Sequence, residues 1–162
     1  MGLFGPTMKS TYRYLSLLAL FATTVLQAEL QPGDTLPAFT VQDQHEVEYT
    51  LADDVRYVIV SFDMSSGKST NKFLEKKGQE YLGVNNAVFL SNIHGMPWVG
   101  RKFALPKMRK YPHRILLADS ETLLADYPQE ADRITVFKLD SDHKIVSINF
   151  WDPESGDSPF AD

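Results

Sequence analysis

The sequence predicts an α/β domain, a mixed sheet flanked by helices and led by an N-terminal β-hairpin. Three observations point there. Residues 56–62 form a nearly unbroken apolar and β-branched run, the pattern of a strand covered on both faces. A helical segment follows and leads to a second apolar run at 87–93, which makes a strand–helix–strand crossover with parallel strands. Short strand-like pairs joined by polar turns close both ends of the chain, at 39–51 and 133–150. Parallel crossovers in the middle with antiparallel hairpins at the edges make a mixed α/β layer structure.

The elements follow in order. Pro32-Gly33-Asp34 is a turn, and Phe39-Thr40-Val41 and residues 47–51 are the two arms of a leading hairpin, turning at Asp43-Gln44-His45. After the strand at 56–62, Ser69 or Thr70 can cap a helix that runs to about Leu82 and ends at Gly83. Phe73, Leu74, Tyr81 and Leu82 lie on one face of it. Gly95-Met96-Pro97 breaks the chain and starts a second helix with Pro97 in its first turn, which Phe103 closes before Pro106. Residues 114–118 are a further strand, and 119–127 a short helix or turn. Two strands, 133–139 and 144–150, join through Asp140-Ser141-Asp142-His143 as an antiparallel hairpin. Val146, Ile148 and Phe150 alternate with polar residues, so the last strand is half-exposed.

The chain has 162 residues, 43% hydrophobic and 23% charged, and no cysteine. One domain of ordinary globular composition fits these values. Lys9 and Arg13, an apolar run at 14–26 and Ala28 are the parts of a secretory signal, opening at Met1 or Met8. The expected organisation is a signal peptide at 1–28, a folded domain at 29–151 and an acidic, mobile tail at 152–162. Residues 1–28 contain two basic residues and no acidic ones, so the remainder carries 14 basic against 21 acidic residues, a net charge of −7. That balance opposes nucleic-acid binding. The run at 14–26 is shorter than the roughly 20 residues a membrane span takes, so no transmembrane anchor is expected after cleavage. The expected location is the bacterial periplasm or the exterior.

Three stretches resemble the thioredoxin-like superfamily, in its exported, peroxiredoxin-related and thiol-disulfide-oxidoreductase branches. Gly33-Asp34-Thr35-Leu36-Pro37-Ala38-Phe39 resembles the family's opening. Residues 58–74 resemble its first central strand, active loop and helix, and Leu139-Asp140-Ser141-Asp142-His143-Lys144-Ile145 resembles its Ile-Asp-x-Asp-Gly-Lys-Ile turn. The resemblance implies paired cysteines near Gly67 to Thr70 and a proline near Ile134; neither is present. It also implies a last helix, which here is missing or very short. A thiolate is the nucleophile of disulfide exchange and peroxide reduction, so both activities are excluded.

Two groups of residues remain as candidate surfaces. Asp63, Ser65, Ser66, Gly67 and Lys68 follow a strand and precede a helix, where backbone N–H groups beside a lysine form an anion site. Turn and cap chemistry accounts for the same residue types without a ligand. A nucleotide phosphate loop is excluded, because its first glycine would fall at Phe62. Trp98, Arg101, Lys102, Lys107, Arg109 and Lys110 are the candidate partner contacts. Arg101, Lys102, Lys107, Arg109, Lys110 and Arg114 form a basic island with Trp98 among them, and no Asp or Glu lies from Gly95 to Ala118. Met96, Phe103, Met108 and Tyr111 interleave with it and supply contact area for an acidic partner; a solvated helix face is the plainer reading. No pair of the four histidines has metal-ligand spacing, and no nucleophile elbow or dinucleotide turn exists.

The expectation is an exported, redox-inactive thioredoxin-like domain that binds an acidic periplasmic protein or a small anion, with no specified cofactor. The alternative of a different class is a thiol-independent oxidoreductase with a bound flavin or other cofactor. A third is an assembly subunit with an apolar patch around Trp98 and Phe103.

Overall fold

The computed structural model describes residues 1–2 and 28–160. The signal-peptide reading therefore lies almost entirely outside the described residues. The elements are β1 (Thr40–Asp43), β2 (Glu48–Thr50), β3 (Tyr57–Ser61), α1 (Met64–Lys77), α2 (Tyr81–Val84), β4 (Ala87–Asn92), α3 (Trp98–Met108), β5 (Leu116–Ala118), β6 (Ile134–Leu139) and β7 (Ile145–Trp151). The strands form one seven-stranded sheet in the order β2-β1-β5-β4-β3-β6-β7. β3 pairs in parallel with β4, and β4 with β5; the other pairings are antiparallel. The expected mixed sheet and both hairpins are present.

β3 sits between β4 and β6 with both faces covered. Val58 and Val60 join one core with Leu36, Phe39, Leu90, Leu116 and Phe137. Ile59 faces the other, with Phe73 and Leu74 of α1 and Phe89, Ile134 and Trp151. The run at 56–62 therefore lacks the polar alternation of a half-exposed strand because neither face meets water.

Several boundaries differ from expectation. α1 starts five or six residues before the expected caps, because Asp63 caps it: its carboxylate accepts from the Ser66 N–H. Ser69 instead donates its hydroxyl to Glu154, and Thr70 donates to the Ser66 carbonyl inside the helix. α1 ends at Lys77, where Gly78 takes φ 93° and its N–H bonds the Leu74 carbonyl. Gly83 lies inside the separate turn of α2. Pro97 is the N-cap of α3 rather than part of its first turn, and α3 runs through Pro106 to Met108. Pro106 removes one helical hydrogen bond, tolerable in a helix with no buried residue. Residues 119–127 form turns without a helix.

β7 is half-exposed as expected, but its buried residues are Ile145 and Trp151, while Val146 and Phe150 face water. A register shift at Lys138/Leu139 accompanies this. No helix follows β7 among the described residues. The acidic tail instead makes specific contacts. The Trp151 indole N–H donates to the Asp157 carbonyl at 3.1 Å, and Tyr81 and Ser158 hydroxyls are 2.8 Å apart. Phe160 packs on Tyr57 and Tyr81. Ile134, at the position the resemblance assigns to proline, is fully buried at the start of β6.

Candidate functional site

The site starts at the C-terminal end of β3, where the chain passes Asp63 into α1. Asp63 turns its carboxylate back onto the helix. Oδ1 accepts from the Ser66 N–H at 2.8 Å and the Ser65 hydroxyl at 2.7 Å, and Oδ2 accepts from the Ser66 hydroxyl at 2.7 Å. Desolvation raises the Asp63 pKa, but these hydrogen bonds together outweigh it and hold the carboxyl below its usual range. The residues read as an anion-binding loop thus sit at the cap and the first turns of α1. The charge already at this helix end is negative, and the Ser66 and Gly67 N–H groups are occupied.

Beneath that turn, Ser61 donates its hydroxyl to Ser91 at 3.2 Å, both buried at the ends of β3 and β4. Gly67 lies over them. A Cβ there would stand 3.2 Å from the Ser61 Oγ, so any larger residue would press on that hydroxyl, and glycine suits the close approach of α1 to the sheet. One turn on, Asn71 accepts from the His113 ring at 2.8 Å with both side chains buried. Burial lowers the His113 pKa to about 4.

The basic island divides. Arg101 pairs with Asp119 and donates to the carbonyls of Met96 and Ile93. Arg109 pairs with Glu46 at 2.7 Å and donates to the Gln44 carbonyl at 2.9 Å. These two arginines brace α3 against its neighbours. Lys102 lies over the Trp98 ring at 4.3 Å. Among the described residues, Lys68, Lys107 and Lys110 have no ion-pair partner.

Between α1 and α3 lies a cleft of about 290 Å³. Asp63, Gly67 and Lys68 line one wall, and Met96, Phe103, Met108 and Lys107 the other. Parts of the two candidate groups thus share one cleft, whereas Ser65, Ser66, Arg101, Lys102, Arg109, Lys110 and Trp98 lie outside it. Sequence reasoning missed Met64, Asn71 and Ser91, which also line it. Serines closing two otherwise apolar strands, at Ser61 and Ser91, were the available signal. Among the described residues no three His, Asp or Glu side chains group as a metal site, and no helix is long and apolar enough to cross a membrane. No nucleophile–base pair appears among the cleft residues described.

No protein-family model matches the chain, and no curated protein matches it. Solved structures do. A thioredoxin domain of a thiol-disulfide oxidoreductase from Bacteroides vulgatus superposes with TM-score 0.52 at 20% identity, over 74% of this chain and 89% of that one. A thiol:disulfide interchange protein DsbE, so described, from Chlorobium tepidum gives TM-score 0.56 at 12% identity, covering 79% and 92%. Peroxidoxin BcpB from Mycobacterium tuberculosis gives 0.52 at 14%, covering 79% and 92%. At these identities the likeness speaks for the fold, which is thioredoxin-like. The chain carries that fold with no cysteine.

Proposed function

We propose that this cysteine-free thioredoxin-like domain is an exported, redox-inactive binding module, working through the cleft between α1 and α3. One observation carries the reading: residues from both candidate groups, Asp63, Gly67 and Lys68 on one wall and Lys107 on the other, line a single apolar-walled cleft. Lys68 and Lys107 have no ion-pair partner among the described residues. The chemistry they favour is an acidic protein segment or a small anionic ligand. Arg101 and Arg109 support this surface by holding α3 in place rather than by contacting a partner.

The test compares the wild-type chain with Lys68→Glu/Lys107→Glu in retention of partners from the native host's extract, alongside native mass spectrometry of the purified protein. The expected result is loss of a retained species with an unchanged unfolding midpoint. Equal retention by both chains sinks the reading. A bound chromophore would replace it with a cofactor enzyme.

A further inference from the structure

We infer that the cleft between α1 and α3 takes a small apolar carboxylate, its head group on Asn71, Ser91 and the two lysines, its apolar body between the helices. This rests on the binding reading above and names the ligand class.

The polar part of the cleft is built from donors. Asn71 is 4% and Ser91 5% exposed, and both line the cleft. His113 is neutral at ordinary pH, and its Nδ1 is buried without a partner. A neutral ring has one N–H, and a stranded N–H is rarer in folded proteins than a bare acceptor. The proton therefore sits on Nε2 and is donated to the Asn71 Oδ1 at 2.8 Å. That fixes the amide: Oδ1 is used, and the Nδ2 hydrogens have no acceptor among the described residues. Ser91 accepts from Ser61, which leaves its own O–H to donate.

Acceptors are scarce there. The one acidic residue lining the cleft, Asp63, already accepts from Ser65 and Ser66; of the other lining groups that can accept, the Asn92 amide oxygen takes the His94 N–H, and the Tyr111 hydroxyl can donate as well as accept. Donors without acceptors, in a cleft that two lysines without ion-pair partners also line, match a carboxylate, which only accepts. The walls specify the rest. Met64, Met96 and Met108 are unbranched and adaptable, and with Phe103 they give an apolar lining. A volume of about 290 Å³ lies at the small end of ligand pockets, roughly 300–1,000 Å³. Inorganic anions would leave the apolar walls wet.

The test is isothermal titration calorimetry of the purified protein with decanoate, below its micelle concentration, against decanol. The expected result is saturable one-to-one binding of decanoate. Loss of one charged hydrogen bond weakens binding about tenfold, so Ser91→Ala and Lys107→Gln should each do this, and decanol should bind at least tenfold more weakly. Ala104→Trp, which fills the cleft without touching a polar group, should abolish binding. No saturable binding, equal binding of decanol, or affinity unchanged in all three variants overturns the assignment. If decanoate fails while Lys68→Glu/Lys107→Glu still loses a cellular partner, the ligand class falls and the binding reading stands. If neither responds, both fall.

Discussion

The two long helices are built on opposite plans. α1 buries Ser66, Gly67, Thr70, Asn71, Phe73 and Leu74 against the sheet, and Asp63 caps it at its start. α3 buries nothing. Its Trp98 and Phe103 are 66% and 76% exposed, and arginine pairs to Asp119 and Glu46 brace it. Apolar burial drives folding, so α1 belongs to the scaffold. A helix that turns tryptophan, valine and phenylalanine toward water gains little from them in the folded chain. The contrast separates what holds the domain together from what is left for a partner.

The strongest way to break that contrast is to cut an apolar side chain from each helix. Leu74 is fully buried, and Leu74→Ala should cost about 2–5 kcal/mol through lost transfer energy and the cavity left. Phe103→Ala removes a larger side chain from an exposed position and should stay within about 0.5 kcal/mol. Chemical denaturation measures both. Equal losses would mean that α3 is part of the core after all.

The next effect comes from behind α1. The folded-state pKa of His113 is lowered to about 4 from 6.5, because burial disfavours its charged form. Above pH 6.5 the ring is neutral folded or unfolded, and stability does not depend on it. As pH falls below 6.5 the unfolded chain takes up the proton first, so stability declines and levels off below pH 4. The gap between the two values corresponds to at most about 3 kcal/mol. Urea midpoints from pH 7 to 4 should fall in the wild type and fall less in His113→Gln. Parallel curves would remove His113 from the account of acid sensitivity.

The sheet was far more legible in the sequence than the cleft. Residues 56–62 read as a doubly covered strand because a short, β-branched, continuously apolar run fits few arrangements besides a strand buried on both faces. The turn at Asp140 to His143 was readable too: Asp140 accepts from the Asp142 and Lys144 N–H groups, while His143 takes φ 57° where the resembling motif has glycine. The start of α1 was misread because Asp63, Ser65, Ser66, Ser69 and Thr70 are all capping types within eight residues. Local propensity cannot rank them; the structure does, through the Asp63 carboxylate that accepts from the Ser66 N–H. The basic island was visible as charge, but its pairings were not. Glu46 lies 63 residues from Arg109 along the chain, and only the fold brings them together.

The choice of cap gives a smaller, sharper comparison. Asp63→Ala removes an acceptor of three hydrogen bonds at the start of α1 and should cost about 1 kcal/mol, within the roughly 0.5–2 range for caps. Ser69→Ala, at the position the sequence offered as the cap, loses only an exposed bond to Glu154 and should stay within about 0.5 kcal/mol. Thermal midpoints of the two variants decide it. A larger loss at Ser69 would restore the later helix start and move the wall of the cleft.

The smallest stability effect belongs to the exposed face of α3. Trp98→Ser/Phe103→Ser should leave the unfolding free energy within about 0.5 kcal/mol of wild type, because neither ring is buried. The same variant should show reduced retention of any partner, because aromatic side chains dominate the energetics of interfaces. Denaturation and partner retention measured on one preparation test the two halves of this statement together. A destabilised chain would show that the rings support the fold in a way their exposure hides. An unchanged chain that still binds as before would confine recognition to Lys68, Lys107 and the floor of the cleft. Only loss of binding at constant stability fits a helix whose apolar side chains serve a partner rather than the core.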